Sequence, residues 1–394
     1  MELSSQTTVT SPWSPLKSTL RPLLESIYPH QRRLLTSTPI ISSPTKPEPA
    51  ISPRPVIEDA AEQQHPTYKT AQEATRERWA GKPSPQGNSS SSSSQTKWTE
   101  QKEKIIRSPY DYVAAEPGKE FRTLLLQAFN VWLEIPQESL DIIADVIRML
   151  HTASLLIDDI QDNSSLRRGR PVAHNIYGVA QTINAGNYVY FLALRELQKL
   201  PRNTAKATEI YTTEMLYLHR GQGMELYWRD TLTCPTEADY LEMVSNKTGG
   251  LFRLAVRLMQ SQSDTQFDCV PLAELLGRAF QIADDYKNLA NADYEVQKGL
   301  CDDLTEGKFS FPIIHCVRAE PDDHELLHIL AQRTTDADTK RYAVRRMERT
   351  GSLEYTKELV GSLLARTREE AEGIQPGSGK GRGILALLGK LELK

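Results

Sequence analysis

The sequence predicts an all-α protein, a bundle of about ten or more helices behind a long polar extension. Three observations carry this. Beyond about residue 105, apolar residues recur at three- and four-residue spacing. Runs that alternate polar and apolar residues, the mark of strands, are nearly absent. The first hundred residues hold 17 Ser, 12 Thr and 13 Pro, a composition that buries too little apolar surface to offset the entropy of ordering it.

Residues 1–104 therefore read as a disordered Ser/Thr/Pro-rich extension and 105–394 as one large domain, with the six-Ser run at 89–94 as linker. In the domain, a helix is expected over 121–133, stopped before Pro136. From Leu140 to Asp159 the apolar period runs unbroken for about six turns. Further helices are expected at 173–199, 203–230, 236–262, 271–292, 309–319, 323–333, 338–349, 352–371 and 383–391. No internal repeat of fixed period is present.

Charge and composition exclude several classes. The first hundred residues carry 11 Lys/Arg against 9 Asp/Glu, leaving 36 against 42 in the remainder. A mildly acidic domain argues against nucleic acid as the main partner, and any anionic ligand would need local cations. No apolar run approaches the roughly 18–20 residues of a membrane span. No secretory leader pattern opens the chain. Cys234, Cys269, Cys301 and Cys316 lie far apart with no Cys-x-x-Cys pair, which fits reduced thiols and a cytoplasmic location. The Ser/Thr-rich, base-containing first fifty residues leave an organelle transit peptide as the alternative.

The chemistry concentrates in two acidic clusters. Asp158-Asp159-Ile160-Gln161-Asp162 ends an apolar helix, with Asp158 and Asp162 one turn apart on one face and His151 on the same stripe. Asp284-Asp285-Tyr286-Lys287-Asn288 ends another, and Gln281, Asp284, Asp285 and Asn288 share a face. A lone D-D-x-x-D is often only a solvated acidic turn or a cap, and Asp302-Asp303 and Asp322-Asp323 read that way. These two differ because Leu155, Leu156 and Ile157 precede the first, and Ala279 to Ala283 precede the second. Both helices are entering a core, where unpaired carboxylates are costly. Facing carboxylates stay ionised only with cations between them, and Mg²⁺ suits carboxylates plus phosphates. Basic groups stand nearby: Arg167-Arg168-Gly169-Arg170, Lys119 with Arg122, Lys247-Thr248-Gly249-Gly250, and Lys298 and Lys308. Gly377-Ser378-Gly379-Lys380-Gly381 looks like a phosphate loop. However, Ile374 and Gly381 stand where a glycine and a hydroxyl belong and no strand precedes it, so it reads as a connection before the last helix.

In this pattern the chain resembles the trans-isoprenyl diphosphate synthases, and within them the fungal-type geranylgeranyl diphosphate synthases. The likeness runs from about Pro117 to Leu391. It rests on E-P-G-K-E-F-R (116–122), M-L-H-T-A-S-L-L-I-D-D-I-Q-D-N-S-S-L-R-R-G-R-P (149–171), H-R-G-Q-G (219–223), K-T-G-G-L-F (247–252), Q-I-A-D-D-Y-K-N-L (281–289) and D-L-T-E-G-K-F-S-F-P-I-I-H (303–315). The second acidic motif ends in Asn288 rather than Asp, a variant the subgroup tolerates. The extension 1–104 has no counterpart in the family core.

The resemblance implies an isoprenoid-synthase helical bundle around a central cavity, with Asp158, Asp159, Asp162, Asp284, Asp285 and Lys247 at the catalytic centre. Lys119, Arg122, His151 and Arg168 would hold isopentenyl diphosphate. Arg167, Lys247, Thr248, Gln281, Asn288, Lys298 and Lys308 would hold the allylic diphosphate. Asp158, Asp162 and Asp284 would bind Mg²⁺, three ions per active site. The implied reaction extends dimethylallyl, geranyl or farnesyl diphosphate to geranylgeranyl diphosphate, in a homodimer or higher homo-oligomer. For chain length, Ala153 and Ser154 are small where family members that stop at fifteen carbons carry aromatics, and Tyr190, Phe191 and His219 would form a deeper floor. Tyr190 and Phe191 read equally well as ordinary core aromatics.

Four alternatives share parts of the pattern. A farnesyl or longer-chain synthase would use the same chemistry. A terpene cyclase would carry a different second motif and would not need Lys119, Arg122 or His151. A non-catalytic partner subunit should have lost an acidic motif, and both are intact. A fusion with a cyclase would need far more chain than the polar extension supplies.

Overall fold

The computed structural model describes residues 98–115, 121–290 and 301–393, within the unit Ser92–Lys394. The polar stretch 1–97 with its Ser run, Lys119 and Lys298 lie outside the described residues.

Fourteen helices and one short hairpin make up the described fold. Helices α1 (Glu100–Ala114), α2 (Phe121–Leu133) and α3 (Gln137–Gln161) come first, followed by strands β1 (Leu166–Arg167) and β2 (Arg170–Pro171). Then come α4 (Ala173–Tyr177), α5 (Val179–Leu197), α6 (Thr204–Asp230), α7 (Glu237–Gln262) and α8 (Val270–Ala290). Six shorter or peripheral helices follow: α9 (Asp302–Glu306), α10 (Phe311–Ala319), α11 (Glu325–Gln332), α12 (Ala337–Arg349), α13 (Ser352–Ile374) and α14 (Arg382–Gly389).

The helical period read from sequence holds because it is the period of burial. On α3, Ile143, Val146, Ile147 and Leu150 are buried at three- and four-residue steps. They meet Phe129, Trp132 and Leu133 of α2 and Leu254, Leu258 and Met259 of α7 in one core. Each such side chain contributes about 1.5–3 kcal/mol by leaving water. Helix α7 starts where expected because the Thr236 hydroxyl accepts a hydrogen bond from Asp239 N, at 3.1 Å.

Four differences have plain causes. Helix α1 escaped the sequence reading because its first half is charged and Pro109 sits inside it; it is anchored by buried Tyr110. The period expected over 173–199 breaks at Gly178, whose φ is +83°. The hairpin and the five-residue α9 are too short for any period to show. The last is consequential: Asp302-Asp303, expected to be a solvated turn, forms the start of α9 and lines the central cavity, with Asp303 buried. Asp303 N donates to Asn288 Oδ1 at 3.2 Å, which draws α9 onto the end of α8. Asp323 forms the expected acidic turn, its Oδ1 accepting from Glu325 N at 2.9 Å just ahead of α11.

Candidate active site

The long helices leave a cavity of about 620 Å³ between them, within the size range of small-molecule sites. Its walls are apolar (Leu125, Ile147, Leu155, Ile157, Leu218, Leu251) and its rim is charged. Phe121, Phe252 and Phe280 also line it, with ring centroids 5.1–6.3 Å apart.

One part of the rim is built around Asp158. Its carboxylate lies 3.6 Å from Lys247 Nζ and 4.0 Å from Arg167 Nη2, and accepts from Gln222 Nε2 at 3.2 Å. Burial alone would raise this carboxyl; Lys247, Lys308 and Arg167 outweigh it and hold it below its usual range. Lys247 contacts the buried Glu225 directly, and Lys308 Nζ stands 3.4 Å from the same carboxylate. Both lysines are held cationic against their burial chiefly by Glu225. Asp162, which closes α3, accepts from Arg229 Nη1 at 2.8 Å. Burial and the Asp158 charge push the Asp162 carboxyl up, while that guanidinium pulls the other way. Across the cavity, burial and the charges of Asp303, Asp158 and Asp302, against Lys308, leave Glu306 at about 8.

Another part is positive. Arg122 and His151 touch, and Arg168 lines the cavity with them. Burial and the Arg168 charge lower Arg122 to about 10. Burial, then Arg122, Arg168 and Arg167, depress His151 well below its ordinary value, so its ring is neutral at pH 7. Guanidiniums that repel one another in a half-buried pocket suit a multiply charged anion. His151 precedes Asp158 by seven residues, about 10 Å along α3.

The helices approach closely enough to build this rim because glycine faces backbone. A Cβ on Gly277 would fall 2.9 Å from the Gly249 Cα, so α7 and α8 pack backbone to backbone at K-T-G-G. That contact sets Thr248 against Gln281, and the Thr248 hydroxyl donates to Gln281 Oε1 at 2.6 Å.

Of the sequence-predicted residues, Asp158, Asp162, Asp284, Arg122, His151, Arg167, Arg168, Lys247, Thr248, Gln281, Asn288 and Lys308 all line the one cavity. Asp159 does not: it is 1% exposed and receives Arg167 Nε and Nη2 at 2.7 and 2.5 Å, fixing the hairpin. Asp285 also lines it, yet its oxygens are occupied by Tyr240 Oη, Gln281 Nε2 and Phe311 N, which makes it an organiser of the rim. Ser154, Tyr190 and His219 reach the cavity wall, and the Tyr190 and His219 rings meet edge-on at 5.9 Å. Ala153 and Phe191 are corrections. Five residues before Asp158 is about 140° round the helix, whereas four is about 40°. Ala153 accordingly sits under Gly186 of α5, away from the cavity, and Phe191 is 72% exposed.

Sequence reasoning passed over Glu225, Gln222, Arg229 and Glu306. Gln222, Glu225 and Arg229 follow at three- and four-residue steps on one face of α6, a polar stripe that could have been read. Glu306 lies within the 303–315 stretch that carries the resemblance, but its spacing alone does not single it out; tertiary folding brings it to the cavity that Asp158 lines. The Gly377–Gly381 stretch connects α13 to α14, and Lys380 pairs with Glu134 at 2.8 Å on the surface.

Among the described residues no three His, Cys, Asp or Glu side chains converge into a ready metal cage. The donor set still fits Mg²⁺: Asp158, Asp162, Asp284, Asp302, Asp303 and Glu306 all bring carboxylate oxygens to the cavity.

The polyprenyl synthetase family model matches residues 103–347. The chain belongs to the polyprenyl synthetase family. Among relatives, geranylgeranyl pyrophosphate synthase D of Phomopsis amygdali is 62% identical over 300 residues, 75% of this chain and 70% of its own length. A geranylgeranyl pyrophosphate synthase of Hypoxylon pulicicidum is 60% identical over 294 residues, 75% of this chain and 76% of its own. A copalyl diphosphate synthase of Talaromyces verruculosus is 55% identical over 298 residues, 75% of this chain but 31% of that protein. Among the described residues of this polyprenyl synthetase no helix is long and apolar enough to cross a membrane.

Proposed function

We propose that this chain is a geranylgeranyl diphosphate synthase, condensing isopentenyl diphosphate with dimethylallyl, geranyl or farnesyl diphosphate with the help of Mg²⁺. One observation carries the reading: a single cavity joins an acid-and-lysine rim, an arginine-and-histidine rim and apolar walls. Arg122, Arg168 and neutral His151 suit the diphosphate of isopentenyl diphosphate; Lys119, outside the described residues, is assigned to it by the resemblance alone. Arg167, Lys247, Thr248 and Lys308 suit the allylic diphosphate, with Gln281 and Asn288 beside them; Lys298, outside the described residues, is assigned to it by the resemblance alone. Asp158, Asp162 and Asp284 would hold Mg²⁺, which supplies charge neutralisation for the leaving diphosphate.

In this reading Lys247, Lys308 and Arg167 donate to the allylic diphosphate as its C–O bond ionises. The double bond of isopentenyl diphosphate then attacks the allylic carbocation, and a proton is lost. The released diphosphate takes that proton, because no side chain stands out as the base. The apolar walls and phenyl rings keep water from the cation. The product length follows the names of the similar synthases and the open wall at Ser154.

A homodimer or higher homo-oligomer is also proposed. Val179, Ile183 and Phe191 on α5, and Leu216, Met224 and Tyr227 on α6, are exposed at helical spacing, and such apolar stripes suit a second copy. Sedimentation of Phe191→Glu/Leu216→Glu as a monomer supports this; an unchanged oligomer removes it. A cytoplasmic location is proposed on the free cysteines, and imaging of a fluorescent fusion decides it.

The deciding experiment is incubation of the full chain with isopentenyl diphosphate, Mg²⁺ and each allylic primer, with chromatography of the dephosphorylated products. Geranylgeraniol from all three primers is expected. No product, or a fifteen-carbon end point, overturns the reading.

A further inference from the structure

An ion chain leaves the cavity through residues that neither motif contains. Arg229, 8% exposed at its side chain, donates from Nη1 to Asp162 Oδ1 at 2.8 Å and to the Gln161 carbonyl at 3.0 Å. Its Nε donates to Asp230 Oδ1 at 2.9 Å, and the same oxygen accepts from Arg333 Nη2 at 3.1 Å. Arg333 follows α11 in the left-handed region, at φ 47°. Its side chain lies on Gly307, where a Cβ would fall 3.3 Å from Arg333 Cγ and 3.4 Å from Nε. Gly307 itself has φ +74° and immediately precedes Lys308. Thr305 Oγ1 also donates to the Thr334 carbonyl, at 3.4 Å.

Helix α6 therefore grips the Lys308 turn twice. Glu225 faces Lys308 and Lys247 directly. One turn later Arg229 holds the end of α3 and, through Asp230, pairs with Arg333, whose side chain packs beside Gly307 of the turn. The fork geometry of arginine permits this, since separate nitrogens serve Asp162 and Asp230 at once.

We propose that Arg229 is a positioning residue: the chain Asp162–Arg229–Asp230–Arg333 fixes the distance between the end of α3 and the turn that carries Lys308. The carboxylate end of the first acidic motif and the phosphate-facing ammonium of Lys308 are thereby held in register. The structural part stands on the geometry alone; its kinetic consequence rests on the proposed prenyl transfer.

The test uses the full chain as wild type, Arg333→Met, Arg229→Gln, the double variant and Arg229→Lys. Arg333 is 44% exposed at its side chain and away from the cavity rim, so Arg333→Met keeps the fold. Amide hydrogen exchange without substrate or metal is expected to quicken over 159–165 and 301–309 in Arg333→Met and Arg229→Gln, and to stay unchanged over α13. The double variant should shift no further than Arg229→Gln, and Arg229→Lys should recover part of the protection. With substrates, KM for the allylic diphosphate should rise roughly two- to fivefold, the span of a partly exposed ion pair, with kcat nearly constant. Unchanged exchange in both segments, additive shifts in the double variant, or altered exchange without a KM change overturns the proposal. A wild type that makes no prenyl product sinks the prenyltransferase reading instead, and the exchange data then decide the ion chain alone.

Discussion

Gly221 of α6 faces the backbone of Lys247 on α7 so closely that a Cβ there would fall 2.4 Å from the Lys247 nitrogen. The two helices meet where a side chain would keep them apart, and this brings Glu225 onto the Lys247 ammonium. Gly221→Ala must push α6 outward, at a cost of about 1–3 kcal/mol, as overpacking does elsewhere. A lowered midpoint in denaturant, with turnover reduced beyond the loss of folded protein, is the expected result.

Ser154 and Ala153 should behave differently despite adjoining each other. Ser154 faces the cavity, so Ser154→Phe is expected to shorten the product, read by chain-length analysis. Ala153 backs onto α5, so Ala153→Phe should lower stability by roughly 1–3 kcal/mol while any folded enzyme keeps its product length.

Asp158 and Asp285, one from each acidic motif, take different roles. Asp158→Ala is expected to abolish turnover while circular dichroism and melting temperature stay near wild type. Asp285→Ala strips the acceptor from Tyr240, Gln281 and Phe311 N, and should cost about 3 kcal/mol or more in stability. Equal melting temperatures for the two variants would refute this division.

His151 predicts a pH dependence of stability. Its folded-state value lies well below the ordinary 6.5 because of burial and the cations Arg122, Arg168 and Arg167. The unfolded chain therefore binds a proton first as pH falls. The contribution is present in full above about 6.5 and is lost as pH drops toward the folded value. His151→Gln should flatten the fall in melting temperature below pH 6.5, measured by calorimetry at fixed ionic strength.

Much of the fold is legible in the sequence. Ile143, Val146, Ile147 and Leu150 announce α3 by spacing alone, because the period that packs a core is the period of the helix. Asp158 and Asp162 announce a site because carboxylates at the end of an apolar helix need cations. The Asp302-Asp303 pair misled, since nothing local says that α9 folds back on Asn288.

The sequence by itself determined most of the long helices, the two acidic motifs and the basic residues that accompany them, since period, capping and charge are written along the chain. Tertiary structure alone decided which groups meet. It turned Ala153 and Phe191 away from the cavity, spent Asp159 and Asp285 on holding their neighbours, and set Glu225 and Arg229 against partners far along the chain. The reason is geometric: one residue along a helix rotates a side chain by about 100°. Which direction faces a neighbour depends on where the other helices lie, and that is fixed by close approaches such as Gly221 on Lys247.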